Sequence, residues 1–320
     1  MRVLITGITG FVGSHLAEYL LSAQSEVEVF GLRRWRSVTD ELAGVLPLVR
    51  LVDGDLLDPA SLQRALAASR PTVIYHLAAS SSVASSWDTP SEMIQVNTLG
   101  TLHLLEAVRQ LDLDAVIVMA GSAECYGAVP AGSLPVKEGR PFAPVSPYAV
   151  SKAAADMLGY QYFQTFRLRT VRLRLFNHFG PRQSDRFVIS AFARQIAEIE
   201  AEKRPPQLHV GNLEARRDFV DVRDVVRAYW LASSAGEPGA AYNVATGQVR
   251  SIREVLDHLL SLSEAVVEVV FDPGRLRPAD IPELVGDAKL FRQATGWQPT
   301  VAFEQSLYDC LAYWRRRVHR

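Results

Sequence analysis

The sequence predicts an α/β fold, a doubly wound parallel sheet with a smaller, discontinuous α/β lobe beside it. Three observations carry this prediction. Short Val/Ile/Leu-rich runs alternate with helix-like stretches through the first half, as parallel strands do when helices cover both faces of their sheet. A glycine-spaced turn, GITGFVG, joins the first run to the first helical stretch. After Asn177 the alternation gives way to loops, one long helical stretch and scattered short strands.

The elements follow in order. RVLITG is a strand, SHLAEYLLSA a helix and EVEVFGL a second strand. LVRLVDGDL precedes DPASLQRALAAS, which begins like a capped helix. TVIYHLAA, AVIVMAGS and TVRLRLFN supply further strands, separated by helices around 91–110 and 149–166. HFGPRQSDRF reads as a loop, and VISAFARQIAEIEAEKR as a helix stopped by two prolines. In RRDFVDVRDVVRAYWLA, Asp221 is placed to cap a helix, with Asp224 three residues on in a capping-box-like pairing. The helix SIREVLDHLLSL, the strand AVVEVVF and the stretch DPGRLRPADIPELVGD follow. Residues 1–176, with part of 207–246 returning, are expected to form a dinucleotide-binding domain. Residues 177–206 and 247–320 are expected to form the substrate lobe, with ligand between the two at the carboxyl ends of the strands.

Composition narrows the function classes. The chain has 320 residues, a formal charge of −1, 22% charged and 48% hydrophobic residues, an ordinary globular composition without a nucleic-acid footprint. The basic ending WRRRVHR is expected to be a solvated helix end. Cys125 and Cys310 lie far apart without CxxC spacing or ligand-spaced histidines, which argues against a disulfide framework or a metal site and fits a reducing compartment. No apolar run approaches the ~20 residues of a membrane helix, and MRVLITG starts a strand with no room for a signal peptide. A cytoplasmic location is expected.

Gly7, Gly10 and Gly13 sit in the first strand–helix turn, where backbone amides can approach a pyrophosphate at a helix N-terminus. This makes the larger domain Rossmann-type, and Thr9, Phe11 and Val12 share its cofactor turn. About 20 residues further on, where an acid would read a ribose 2′-hydroxyl, the chain has Arg33, Arg34 and Arg36. Guanidinium groups suit a 2′-phosphate, so NADP(H) is preferred, with NAD(H) possible. Asp55, followed by Leu56, either reaches the adenine or forms a turn.

SPYAVSK sets Tyr148 four residues before Lys152, on one helix face. A nearby ammonium favours the phenolate and would bring the Tyr pKa toward working pH. Ser122, in GSAECYG, can hydrogen-bond a carbonyl or alkoxide, and Glu124 lies two residues on.

TGITGFVGSHL, HLAA, GSAECYG, YAVSK and LRLFNHFGPRQ resemble the extended short-chain dehydrogenase/reductases, the nucleotide-sugar epimerases and dehydratases. The resemblance spans essentially the whole chain. It implies that Ser122, Tyr148 and Lys152 are catalytic, that Lys152 also holds the nicotinamide ribose, and that His178 lies beside the nicotinamide. Leu77, Ala78 and Ala79, of the HLAA motif, would meet the cofactor, and Ser81 the substrate. FNHFGPRQSDRFV, VGNLEARRDFVDVRD and LRPADIPELVGD resemble the branches that dehydrate GDP-mannose or reduce the resulting 4-keto sugar. They imply that Asn177, backbone near Val188, Asn212, Arg217 and Arg277 meet a GDP-sugar, with Asp280 where a Glu is expected.

Three positions separate the branches. The dehydratases carry Thr at Ser122, a second Arg at Gln183 and Lys at Ala191. Related dTDP-glucose dehydratases add an Asp at Ala123. Glu124 alone permits dehydration without proving it. The expected activity is NADP(H)-dependent reduction of the C4 ketone of GDP-4-keto-6-deoxy-D-mannose to GDP-D-rhamnose, with GDP-mannose 4,6-dehydration or another epimerase or reductase activity as the alternative. The resemblance further implies a homodimer, or a tetramer, through the helices at 91–110 and 149–166. Leu104, Leu105, Val108, Met157 and Leu158 suit such an interface, and equally suit any helix that covers a sheet.

Overall fold

The computed structural model describes residues 1–24, 26–276 and 278–319. In chain order, β1 (Arg2–Thr6), α1 (Phe11–Ala23), β2 (Glu28–Arg33), β3 (Val49–Asp53), α2 (Pro59–Ser69) and β4 (Val73–His76) form the first half-sheet and its helices. Next come α3 (Pro90–Met93), a π-helical stretch (Ile94–Leu99) and α4 (Gly100–Gln110), then β5 (Val116–Ala120), α5 (Pro147–Phe166) and β6 (Arg169–Leu175). Beyond these lie β7 (Asn177–Phe179), α6 (Val188–Glu200), β8 (Gln207–Val210), β9 (Arg216–Asp221), α7 (Val222–Ala235) and β10 (Ala241–Val244). The chain finishes with β11 (Val249–Ser251), α8 (Ile252–Ser261), β12 (Glu268–Phe271), β13 (Glu283–Leu284), α9 (Lys289–Thr295) and α10 (Phe303–Val318).

Seven strands form one sheet in the order β10-β6-β5-β4-β1-β2-β3, each neighbouring pair parallel. The order reverses between β1 and β4, and crevices outside such a switch point are where open α/β sheets bind ligands. Alternation along the strands feeds two cores. Val3, Ile5, Val73, Tyr75 and Val118 pack on the face that α1 and α7 cover. Leu4, Ile74 and Ile117 pack on the face that α2, α4 and α5 cover. A third core joins α6, α8 and α10 to β8 and β9. There β9 pairs with β11, β13 and β7, while β8 pairs with β12.

Thus β8 and β9 stand with the smaller sheets, whereas α7 packs on α1 and β10 enters the large sheet. Asp218 ties the two sheets: its carboxylate accepts from Thr246 N and Oγ1, Gly247 N and Gly286 N.

Several local expectations change. Asp221 does cap α7, accepting from Arg223 N at 2.7 Å. Asp224 does not complete a capping box. It turns inward and accepts from Thr300 N, Thr300 Oγ1, Val301 N and Arg227, beside fully buried Trp297. The capping box occurs instead at Ser251 and Glu254. Asp224→Ala is expected to lose about 3 kcal/mol of stability, because it leaves buried amides unpaired; urea denaturation measures it.

The helix expected over 91–110 is present and runs without a gap, with a π-helical stretch at Ile94–Leu99 where Asn97 turns its side chain to other segments. The basic C-terminus is a solvated helix end as expected, with Arg316, Arg317 and His319 exposed, while Arg315 pairs with Glu200 and Arg317 with Glu41. Leu104, Leu105 and Val108 are fully buried against the sheet, whereas Met157 is 63% exposed. No described helix is long and apolar enough to cross a membrane.

Candidate active site

The carboxyl ends of β1, β4, β5 and β6 converge on one cleft, and each brings part of the site. After β1, Gly7 adopts φ +74, and a Cβ there would stand 2.8 Å from Ala78 N. Gly13 lies inside α1 against the turn; its Cβ would meet Gly7 O at 2.3 Å and Ile8 Cα at 2.7 Å. Gly10 caps α1 with no side chain on the helix amides and no acid in the first turn. Those amides and the helix dipole therefore suit an anion such as a pyrophosphate. Thr9, Phe11 and Val12 complete the turn, half-buried.

The loop after β4 is pinned to this turn by a buried polar chain. Thr6 Oγ1 accepts from the amides of Leu77 and Ala78, both at 3.1 Å, so its own hydrogen goes to His76 Nδ1 at 2.9 Å. Thr101 Oγ1 donates to Asn97 O at 2.6 Å, so it accepts from His76 Nε2 at 2.9 Å. His76 is thus a neutral Nε2–H imidazole with both nitrogens used. Burial, helped by the Lys152 charge, pushes its pKa down to about 3. Ala79 continues this loop, half-buried, and Ser81 stands exposed beyond it.

At the end of β5, Ser122 is extended, with its Oγ accepting from Glu124 N at 3.3 Å. Ser146 caps α5, accepting from Ala149 N at 3.1 Å, and fixes where Tyr148 and Lys152 emerge. Tyr148 and Ser122 share a side-chain hydrogen bond, with the Glu124 charge near the phenol. The sequence places a lowered Tyr148 pKa here, and the structure reverses it. Burial raises the phenol pKa, and the Ser122 bond offsets only part of the rise. The same burial pushes Lys152 down to about 8.

The β6–β7 segment walls the cleft opposite. The His178 ring lies parallel to Phe11, centroids 6.1 Å apart, and its Nδ1 donates to Phe176 O at 3.2 Å. Burial lowers its pKa, leaving a neutral ring. Buried Gln183 donates to His178 O at 2.8 Å and accepts from Ser190 Oγ at 3.4 Å. Ala123 is buried and Ala191 half-buried. Arg182, in the left-handed region at φ 74, forks onto Glu18 of α1 at 2.6 and 2.7 Å. Composition gave no signal for that clamp.

At the end of β2, Arg33 is already paired with Asp53 at 3.0 Å, while Arg34 and Arg36 are exposed. Asp55 accepts from Leu57 N at 3.0 Å, an Asx-type turn. Leu56 buries its side chain in the core and its carbonyl bonds His103 at 2.8 Å.

The smaller lobe brings together three of the substrate candidates. Arg217 Nη2 donates to Asp280 Oδ1 at 2.8 Å, and Asn212 Nδ2 to Asp280 Oδ2 at 2.8 Å. Arg217 therefore has a carboxylate partner within its own lobe. Asn177 opens β7, and Val188 opens α6, whose N-cap Phe187 offers no side-chain bond. Arg277 lies outside the described residues.

Two further features escaped sequence reasoning. Asn97 receives Ser80 N at 2.8 Å and donates to Ser80 O at 3.0 Å and Ser151 Oγ at 2.9 Å, locking the β4 loop to α5. Asp156, Arg172 and Arg174 form a buried ion cluster one turn below Lys152. Among the described residues, no group of three His, Cys, Asp or Glu is arranged to hold a metal.

Comparison with known proteins agrees with this geometry. Residues 4–310 match the family model described as GDP-mannose 4,6 dehydratase. A GDP-6-deoxy-D-mannose reductase of Pseudomonas aeruginosa is 37% identical over 317 residues, covering 99% of this chain and 98% of that protein. A Vibrio cholerae GDP-mannose 4,6-dehydratase is 34% identical over 352 residues, covering 97% and 92%. The structure of RMD from Pseudomonas aeruginosa complexed with NADPH is similar with a TM-score of 0.86 at 35% identity, covering 99% of this chain and 100% of that one. The glycine turn, the Ser–Tyr–Lys cleft and these full-length matches together establish that the chain belongs to the GDP-mannose 4,6-dehydratase family of extended short-chain dehydrogenase/reductases.

Proposed function

We propose that the chain reduces the C4 ketone of GDP-4-keto-6-deoxy-D-mannose to GDP-D-rhamnose with a nicotinamide cofactor, NADPH in preference to NADH. The observation that carries this reading is buried Gln183, a neutral amide bonded to His178 O and Ser190 Oγ on the wall of the cleft that holds Ser122 and Tyr148. A phenol is the form that gives a proton to an alkoxide; oxidation, the first step of dehydration or epimerisation, needs the phenolate. The likeness to the Pseudomonas aeruginosa reductase along 99% of the chain supports the same reading.

A nicotinamide bound along the glycine turn would supply the hydride. Ser122 Oγ donates to the C4 oxygen and orients the ketone, Tyr148 Oη delivers the proton, and Lys152 holds the nicotinamide ribose with its ammonium. Gly7, Thr9, Gly10, Phe11, Val12 and Gly13 carry the pyrophosphate, with Leu77, Ala78, Ala79, Asp55 and Leu56 alongside and His178 at the nicotinamide end. Asn177, the Val188 amide, Asn212, Arg217, Arg277 and Asp280 would hold the nucleotide, with Ser81 and Glu124 toward the sugar. Residues 177–206 and 247–320 act as the substrate lobe.

Gln183, a neutral amide bridging His178 O and Ser190, stands where the dehydratases have an arginine, Ala191 where they have a lysine, and Ala123 where the related dTDP-glucose dehydratases have an aspartate. One observation favours dehydration instead: the Glu124 charge acts on Tyr148, so a carboxylate is at hand for C5. Incubation with GDP-mannose alone, and separately with the 4-keto sugar and NADPH, tests the choice. Consumption of NADPH only with the keto sugar is expected, and conversion of GDP-mannose without reductant would overturn the reading.

Cofactor choice rests on the exposed Arg34. Arg34→Ala is expected to weaken NADPH about tenfold more than NADH, whereas Arg33→Ala, already paired with Asp53, discriminates less. Fluorescence titration of both nucleotides measures it, and equal losses would make Arg34 a mere surface charge. Exposed Val150, Met157, Tyr160 and Phe166 on α5 support the homodimer that the family resemblance implies.

A further inference from the structure

Asp156 lies one turn beyond Lys152 on α5, and both line a small internal cavity with His76, Asn97, Thr101 and Arg172. Asp156 is 4% exposed, yet two guanidinium groups of β6 converge on it. Arg172 Nη1 donates to Oδ1 at 2.6 Å, and Arg174 Nε and Nη2 to Oδ2 and Oδ1 at 2.9 and 3.1 Å. Arg174 is braced in turn, donating to Glu138 O at 2.7 Å and to Tyr126 Oη at 3.0 Å. Tyr126 donates onward to Asn243 at 2.7 Å. Arg172 is held by Gly239 O at 2.8 Å, and its buried Nε has no partner among the described residues.

Tethering one helix to a sheet needs one ion pair. Here a single buried carboxylate is fixed by two cations directly beneath a third. The groups that face Lys152 are His76 from β4, Cys125 from the turn after β5, His178 from β7, Arg172 from β6, and Asp156 from its own helix. Glu124 lies beyond Cys125 and Tyr148. Of the groups sharing the Lys152 cavity, Asp156 alone is an anion, and His76 is neutral.

We propose that Asp156 is a positioning residue for Lys152: locked by Arg172 and Arg174, it keeps the lysine an ammonium at a fixed height in the cofactor cleft. Its consequence for turnover rests on the reductase reading; its consequence for Lys152 does not. Burial and the Arg172 guanidinium in the same cavity oppose the charge on Lys152; Cys125, which burial keeps a neutral thiol, lends it little, and the Asp156 charge sustains it.

The test reads Lys152 directly. The chain has four lysines, Lys137, Lys152, Lys203 and Lys289, so NMR of protein labelled at lysine Cε gives a resonance for each, assigned with Lys→Arg variants. Asp156→Asn keeps the shape and removes the charge. It is expected to move the Lys152 titration midpoint down by about one pH unit, and Asp156→Glu to restore it. Arg172→Met leaves the Arg174 pair and removes the competing cation, so it is expected to move the midpoint up; it carries the test alone should Asp156→Asn fail to fold. An unchanged midpoint in the folded variants would overturn the proposal and leave the cluster purely structural. Because the ammonium is lost earlier as pH rises, the alkaline limb of NADPH-dependent reduction shifts down with Asp156→Asn. A shifted Lys152 midpoint in protein that never reduces the keto sugar would uphold the positioning role and sink the reductase reading instead.

Discussion

Tyr148→Phe is expected to lower ketone reduction about a thousandfold while leaving NADPH affinity within about twofold. The phenol is placed by the Ser146 cap of α5, bonded to Ser122, and raised in pKa by burial. In the reduction direction that raised pKa is useful, since the group stays protonated across the physiological range and has its proton ready as the alkoxide forms. Removing the hydroxyl removes the acid and one partner of Ser122, and positioned proton donors contribute about 10²–10⁴-fold. The ring carbons remain, so the cleft keeps its shape. Single-turnover kinetics beside a fluorescence titration of NADPH separate the two effects. A variant retaining most of its rate would show that Ser122 or a solvent proton, not Tyr148, completes the reduction.

The second large effect belongs to Gly13→Ala. Its Cβ would lie 2.3 Å from Gly7 O and 2.7 Å from Ile8 Cα, and both are backbone atoms that cannot swing aside. The helix must back away from the turn, which spoils the aim of its N-terminal amides at a pyrophosphate. Overpacking of this kind costs about 3 kcal/mol, well above the roughly 1 kcal/mol that alanine returns through helix propensity. Dinucleotide affinity is expected to fall about a hundredfold, with a lowered melting temperature. Gly44→Ala, where no atom lies within 4 Å of the added Cβ, is the matched control and is expected to change neither. Wild-type affinity in Gly13→Ala would mean that the cofactor binds elsewhere.

Local pattern made much of the large sheet legible. Continuous Val/Ile/Leu runs identify strands buried on both faces, and GITGFVG and SPYAVSK place the glycine turn and the Tyr–Lys helix. What stayed hidden was set by partners remote in sequence. Asp224 resembles a capping residue, but its bonds go to Thr300 and Val301, more than seventy positions away. Asn97 looks like any polar residue in a helix; only the position of Ser80 and Ser151 shows why the turn widens there. Arg172 and Arg174 read as charges in an apolar run, and nothing local indicates that both pair with Asp156. The Tyr148 pKa went wrong for the same reason, because helical spacing reveals the nearby lysine and not the depth of burial. Arg217 and Asp280, named separately as substrate groups, meet each other across the smaller lobe.

In a net reduction the hydride leaves the cofactor and stays on C4 of the sugar. NADPH carrying deuterium at the transferable position, incubated with GDP-4-keto-6-deoxy-D-mannose, tests it most directly by mass spectrometry and NMR of the product. One deuterium bonded to C4 is expected for each NADPH oxidised. GDP-mannose turned over with no net cofactor consumption, its own C4 hydrogen returning to C6, would contradict it.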